Sequence, residues 1–271
     1  MDVPSISAPV LRFFRRIVRG YFRRHFHGVR VSNVVRFSEW SAPISGPLLV
    51  YANHSSWWDP MVCFLLADKL MRGRRHFAPM DADALERYQI LKRIGIFPVK
   101  VDSSRGAVQF LRRGEAILRA GGVLWVTPQG RFADPRERPL RFKPGLAALA
   151  VRVAKSQGQC TVLPLAIEFP FWDERLPEAL LHFGQAVEIE PGENARAVEL
   201  RLIAALESAM EELKKLAMAR DPRGFEVLRP GTLGIGGFYG LGKRLWALVR
   251  RQPYKPEHTS TPRESMRTEA R

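Results

Sequence analysis

The stretch Leu48-Leu49-Val50-Tyr51-Ala52-Asn53-His54-Ser55-Ser56-Trp57-Trp58-Asp59-Pro60 decides the fold. An apolar run of strand length stops at Asn53-His54. Asp59-Pro60 then opens Met61-Val62-Cys63-Phe64-Leu65-Leu66-Ala67, which reads as a buried helix. His54 therefore falls in a strand-to-helix loop, where rigid elements on either side fix a side chain that the loop keeps reachable. Asp59, five residues on, can fold back towards the imidazole. A carboxylate there fixes one ring tautomer and leaves the other nitrogen to accept a proton, so the pair is a candidate general base and its orienter. Plainer readings stand beside this one. A histidine at a strand end is commonly a surface or satisfied residue, and Asp before Pro at the head of an apolar helix is a good N-cap. For Asp59 the two roles are compatible.

The segment Asn53-His54-Ser55-Ser56-Trp57-Trp58-Asp59 resembles the Asn-His-x4-Asp block of the glycerolipid acyltransferases, the group that contains 1-acylglycerol-3-phosphate acyltransferase. Further blocks follow in order, so the resemblance covers about Val29 to Ile167. It implies a glycerol-3-phosphate acyltransferase-like α/β single domain, with a mostly parallel or mixed sheet flanked by helices. It also implies transfer of a fatty acyl group from a thioester to a lipid hydroxyl in phospholipid biosynthesis, with His54 and Asp59 catalytic and Asn53 at the substrate.

Ile94-Gly95-Ile96-Phe97-Pro98-Val99-Lys100-Val101-Asp102-Ser103-Ser104-Arg105 is similar to the family's second block, whose arginine contributes to binding the acceptor's phosphate. Val101 takes that position here. Lys100 and Arg105 are the nearest substitutes, although lysine lacks the planar bidentate fork. The departure leaves room, beside 1-acylglycerol-3-phosphate, for an acceptor without phosphate such as a glycosylated or amino-acid lipid. On the plainer reading, Lys100 and Arg105 are surface charges at a strand end and a helix start.

Val123 to Thr127 reads as a buried strand leading to Pro128-Gln129-Gly130-Arg131-Phe132. This is similar to the third block, usually Phe-Pro-Glu-Gly-Thr-Arg, with the amide Gln129 replacing the carboxylate. Arg131 stands one place early, and Phe132 takes the arginine's place. Gln129, Gly130 and Arg131 are then expected at the substrate. An amide can hydrogen-bond a hydroxyl but cannot act as a base, so the proton work falls to His54. Apart from the resemblance, this is a tight turn.

Arg141-Phe142-Lys143-Pro144-Gly145 resembles the Phe-Lys-x-Gly segment that follows. Lys143 and the helix start after it suit an anion. The phosphates of acyl-CoA or the acidic surface of acyl carrier protein would supply one; a solvated basic turn is the alternative. Cys160 to Ile167 is a further buried strand, similar to the fourth block, Val-Pro-x-x-(Ile/Val).

With 46% hydrophobic residues in 271, the chain is not disordered. Its formal charge of +16 calls for an anionic partner: nucleic acid, an acidic membrane face or a phosphorylated substrate. Residues 10 to 26 separate these. On a helix, Val10, Leu11, Phe13, Phe14, Ile17, Val18, Tyr21 and Phe22 fill one side, and Arg12, Arg15, Arg16, Arg19 and Arg23 the other. Such a helix suits an anionic headgroup layer. A nucleic-acid binder would instead spread its cations over a groove with stacking aromatics, so no nucleic acid is expected. The helix is too short and charged to cross a bilayer, and its arginines interrupt what would be the apolar core of a signal peptide. Packing on the domain with solvated arginines is the alternative. The expected place is peripheral, on the cytoplasmic face of the inner membrane.

Cys63 and Cys160 read as buried free thiols in a reducing compartment, without metal-site spacing. His25 and His27 lack cysteine or carboxylate companions, His76 reads as structural, and no metal is expected. The acyl thioester is a co-substrate, and no other cofactor is implied. Ser55 and Ser56 have no Gly-x-Ser-x-Gly elbow around them, which argues against a serine hydrolase.

The expected organisation is an amphipathic helix in residues 1–28, the acyltransferase domain in 29–225, a Gly-rich basic apolar segment in 226–251 and a disordered tail in 252–271. Expected elements include a strand at Val29 to Phe37, turn-rich chain at Ser41 to Pro47 and a helix near Ala84 to Arg93. Beyond these come a helix over Gly106 to Ala120, an edge strand within Leu180 to Ile189 and a covering helix over Glu193 to Met218. Departures in two blocks also fit a catalytically silent, lipid-binding member of the family.

Overall fold

The computed structural model describes residues 3–33, 46–71 and 73–231. In chain order these form α1 (Ala8–His25), β1 (Gly28–Ser32), β2 (Leu48–Ala52), α2 (Asp59–Leu70), β3 (His76–Asp81), α3 (Ala82–Arg87) and a 3-10 turn (Gln89–Arg93). There follow β4 (Ile96–Val99), α4 (Ser104–Arg119), β5 (Val123–Val126), α5 (Gly145–Gln157) and β6 (Cys160–Glu168). The last elements are β7 (Glu178–Phe183), β8 (Val187–Ile189), α6 (Ala195–Ala219), a second 3-10 turn (Pro222–Gly224) and β9 (Glu226–Pro230). Among the described residues the strands make one mixed, mostly parallel sheet in the order β4-β3-β5-β2-β6-β7-β1-β9, with β8 pairing β6 beside β7.

The opening apolar run occupies the middle of this sheet. β2 is parallel to β5, pairing Leu48 with Val123, and to β6, pairing Leu49 with Val162. Helices cover both faces, which is why the run shows no polar alternation. Leu49 and Tyr51 belong to the core beneath α4, α5 and α6. Leu48, Val50 and Ala52 belong to the core beneath α1 and α2. Helices α4 and α5 meet closely at Gly114, where a Cβ would lie 2.6 Å from Leu149, so a larger side chain there would part them.

Several boundaries differ from the sequence reading. β1 stops at Ser32, and residues 34–45 lie outside the described residues. The helix expected near Ala84 to Arg93 is α3 followed by the 3-10 turn, because Tyr88 leaves helical geometry between them. The expected edge strand is two pieces, β7 and β8, both antiparallel to β6. β7 is internal, lying between β6 and β1, since its Ala179, Leu180 and Leu181 are apolar enough to be covered on both faces. α6 covers the sheet through Val198, Leu202, Leu206 and Leu213. β9 pairs with β1, so the sheet continues past the boundary expected at residue 225. Beyond Gly231, the expected basic segment and tail lie outside the described residues.

α1 forms where the apolar and basic periods predict it, but its apolar side is divided. Val18 and Phe22 are buried, and Phe14 meets Phe64 of α2 edge-on at 4.9 Å. Phe13 and Ile17 are 66% and 46% exposed. The basic side is divided as well. Arg19 hydrogen-bonds the buried Asp68 of α2, and Arg15 Nε lies 2.9 Å from Asp68 Oδ1 without the alignment of a hydrogen bond. Arg12, Arg16, Arg23 and Arg24 face outward. Among the described residues no helix is long and apolar enough to cross a membrane.

Candidate active site

Parallel strands place their C-terminal ends along one edge of a sheet, where side chains from several loops converge. His54 follows β2, Gln129 follows β5, Lys100 follows β4 and Phe169 follows β6, all at that edge. The loop after β2 turns so that His54 Nδ1 lies 2.9 Å from Asp59 Oδ2. The Asp59 side chain is fully buried and the His54 side chain 18% exposed. Asp59 Oδ2 also accepts from the Ser56 N–H at 2.8 Å, which closes the loop on itself. Because an ionised carboxylate only accepts, Nδ1 carries the hydrogen and Nε2 is left as the acceptor.

Asp59 is not the N-cap. Trp58 takes that place in helical conformation, and Asp59 is the first residue of α2, its carboxylate turned back towards the loop. Among the described residues Asp59 Oδ1 is buried with no hydrogen-bond partner, a cost borne at the base of the imidazole.

Two long-range contacts hold the histidine's backbone. The His54 N–H donates to Gln129 Oε1 at 2.8 Å, and the His54 carbonyl accepts from the Ala133 N–H at 2.8 Å. Phe132, 58% exposed, lies over the imidazole with ring centroids 4.4 Å apart. Asn53, expected at the substrate, is buried. Its Nδ2 donates to the Ile167 carbonyl at 3.0 Å and its Oδ1 accepts from the Ile167 N–H at 2.8 Å. That clamp between β2 and β6 leaves it no free polar atom on the substrate side, so its role is to hold the loop. Gln129 likewise supports His54 with its oxygen.

The other expected residues are placed as follows. Gly130 has φ +64°, and a Cβ there would lie 2.7 Å from Lys143 Cε, so glycine lets the Lys143 stem cross the turn. The Lys143 ammonium pairs with Asp102, in the loop after β4. Arg131 is exposed and pairs with Glu137. Lys100 directly follows β4 and Arg105 lies in the first turn of α4, both exposed and three strands from His54. The structure thus unites His54, Asp59, Gln129 and Phe132 and leaves Lys100, Arg105 and Arg131 further out.

Two features escaped the sequence reading. The packing of Phe132 on His54 is foreshadowed only by an aromatic residue in a basic motif position. Glu168 closes β6 beside the site, and burial pushes its carboxyl above the usual range. A single charge ending the apolar run from Cys160 was the available signal.

Behind the site, α1 is fastened to the histidine loop. Trp58 Nε1 donates to the Tyr21 hydroxyl at 3.0 Å, and Phe26, Trp58 and Phe169 pack ring against ring. Trp57, 58% exposed, stands 6.0 Å from the Tyr21 ring. His76 is structural as expected: Nε2 hydrogen-bonds the Met71 carbonyl and Nδ1 accepts from Trp125 Nε1. His27 pairs with the buried Glu178 at 2.5 Å, and His25 packs on Tyr21. Cys160 is a buried free thiol, pushed up to about 12 by burial; Cys63 is free and only partly covered. Among the described residues no group of three or more His, Cys, Asp or Glu side chains converges on a metal position.

Comparison with curated proteins gives no match. A family model described as Acyltransferase matches residues 26–168, more than half of the 271 residues and the whole span from the end of α1 to the end of β6. That span contains every element that carries His54 and its supports, and by it the chain belongs to the acyltransferase family.

Proposed function

We propose that the protein transfers a fatty acyl group from an acyl thioester to the hydroxyl of a lysolipid, 1-acylglycerol-3-phosphate or a relative of it. The observation that carries this reading is the 2.9 Å contact between His54 Nδ1 and Asp59 Oδ2 at the end of the central parallel strand. Nε2 takes the hydroxyl proton as the acceptor oxygen attacks the thioester carbonyl. The tetrahedral adduct then collapses, the carbon–sulfur bond breaks, and the thiolate leaves with the proton from Nε2. Asp59 holds the ring so that one nitrogen serves both transfers. Attack by the acceptor itself makes an acyl-enzyme unnecessary, and the Ser56 hydroxyl is engaged in the loop, accepting from the Trp58 N–H.

Membrane association belongs to the same reading. Exposed Phe13 and Ile17 lie among the outward Arg12, Arg16 and Arg24, and Trp57 adds an aromatic group beside the histidine loop. Apolar anchors between arginines suit an anionic headgroup layer. A peripheral position on the cytoplasmic face would bring the lipid acceptor to the site.

The test is acyl transfer from labelled acyl-CoA and acyl carrier protein to a panel of lysophospholipid, glycosylated and amino-acid lipid acceptors. Wild type is expected to acylate a lysophospholipid, and His54→Ala to lose at least ~10²-fold with the fold retained. An alanine variant as active as wild type would overturn the assignment of the base. Transfer only to acceptors without phosphate would replace the acceptor class. No transfer with any pair would favour a silent lipid-binding member.

A further inference from the structure

His54 and Asp59 are held from different sides. The main chain of His54 is gripped from the β5 side by Gln129 and Ala133. The Asp59 carboxylate has no such grip. Among the described residues its Oδ2 bonds only within the loop, to His54 Nδ1 at 2.9 Å and the Ser56 N–H at 2.8 Å, and its Oδ1 has no partner. The direction of the carboxylate therefore follows from its backbone, which Trp58 sets by entering α2 in helical conformation, φ −76° and ψ −20°. Main-chain bonds at this turn are local. The Trp58 N–H donates to Ser56 Oγ at 3.2 Å, the Asp59 N–H to the Ser56 carbonyl at 3.1 Å, and the Val62 N–H to the Trp58 carbonyl at 2.9 Å.

What ties the turn to the rest of the protein is the Trp58 side chain. Its ring meets Phe26 at 5.0 Å and 78° and Phe169 at 5.4 Å and 73°, and its Nε1 donates to the Tyr21 hydroxyl at 3.0 Å. Among the described residues this is the long-range hydrogen bond made by residues 55–58. Edge-on ring contacts tolerate tilt, whereas an N–H···O bond weakens steeply when misaligned, so the hydroxyl fixes how the indole sits between its two neighbours. Such accuracy matters here, because displacing a reacting group by about 1 Å can cost ~10²-fold in rate.

We infer that Tyr21 is a positioning residue for the reaction: through Trp58 it sets the direction of the Asp59 carboxylate and so the aim of the His54 ring. The inference rests on the acyl-transfer reading above for its kinetics, and on the contacts of Trp58 for its geometry. Helix α1, whose outer side carries Phe13 and Ile17, then supports the base from the side opposite β5.

Tyr21→Phe removes the hydroxyl and keeps the ring. With acyl-CoA and a lysophospholipid dispersed in neutral detergent, without vesicles, kcat is expected to fall ~3- to 10-fold with KM little changed, the range for one lost hydrogen bond felt in the transition state. Trp58→Phe is expected to lose at least as much. Adding Tyr21→Phe to it should cost nothing further, because both changes remove the same bond. Thermal unfolding and proteolysis within residues 8–25 check that α1 stays docked; cleavage should match wild type. Nitrogen NMR of the His54 ring reads the support without turnover: wild type is expected to hold the Nδ1–H tautomer and Tyr21→Phe to mix in the other. Unchanged kcat in Tyr21→Phe would overturn the inference. So would single-variant losses that multiply in the double variant, or a loss of kcat accompanied by raised cleavage within residues 8–25. Failure of every thioester to react with wild type would sink acyl transfer. The ring spectra would then decide the positioning, which identical tautomers in wild type and Tyr21→Phe would overturn.

Discussion

Gln129 Oε1 accepts the backbone N–H of His54 at 2.8 Å, across 75 residues of chain. The amide that stands where the resembled third-block motif has a carboxylate is thus a support for the histidine loop. Gln129 is nearly buried, so truncation would leave the His54 N–H without its acceptor. Gln129→Ala should cost ~1–3 kcal/mol in chemical denaturation and lower kcat, since the ring is displaced with its backbone. Gln129→Glu keeps an acceptor oxygen and should keep most of the activity. If the alanine variant matched wild type in both measurements, the support would be incidental.

Asp59 acts through the imidazole. Asp59→Asn can keep an oxygen towards Ser56 and the ring while losing the charge. Steady-state kinetics should show kcat down by ~10²-fold or more with KM little changed, because the loss falls on proton transfer rather than binding. Unfolding should change little, as the carboxylate already has an oxygen without a partner among the described residues. Equal kcat in wild type and Asp59→Asn would remove the aspartate from the mechanism.

Two histidines give opposite dependences of stability on pH. Burial pushes the His76 imidazole down to about 4, so between about pH 6.5 and 4 the unfolded chain binds a proton that the folded chain refuses. Acidification through that window should cost ~3 kcal/mol, recovered as the pH rises. In His76→Gln this slope should vanish from denaturation curves taken across the window. His27 is the reverse case: its hydrogen bond to Glu178 raises it above 6.5. Its contribution is fully present below pH 6.5 and is lost as the pH climbs through the raised value. An NMR titration should find His27 above the ordinary histidine range in wild type and lower in Glu178→Gln.

Helix α1 docks through charge as well as apolar packing. Asp68 is buried on α2 facing Arg15 and Arg19, both about a third exposed, so solvent screens part of the attraction. Asp68→Ala should cost ~2 kcal/mol and increase proteolytic cleavage within residues 8–25. Unaltered cleavage would mean that Phe14, Val18 and Phe22 hold the helix unaided.

The outward side of the same helix carries the membrane prediction. Sedimentation with vesicles should show binding that grows with anionic lipid and falls at high salt. Phe13→Ser with Ile17→Ser should weaken it without loosening the fold, because both side chains are already exposed. Binding indifferent to salt and to these changes would place the membrane contact elsewhere.

What the sequence by itself determined is local. The unbroken apolar run at residues 48–52, the Asp-Pro step and the periodic apolar positions of residues 195–219 specify strands, helices and covered faces, because those depend on neighbours within a few turns. From the same stretch came the pairing of His54 with Asp59, which a five-residue loop can close alone. Only the tertiary structure decided that Gln129 and Ala133 grip the backbone of His54, that Asn53 clamps Ile167, and that Asp68 draws in two of the arginines assigned to the helix's polar side. β7 lies inside the sheet for the same kind of reason. These contacts join residues scores of positions apart. They exist only once strand order and register are set, and those follow from packing two apolar faces at once, which local periodicity does not encode.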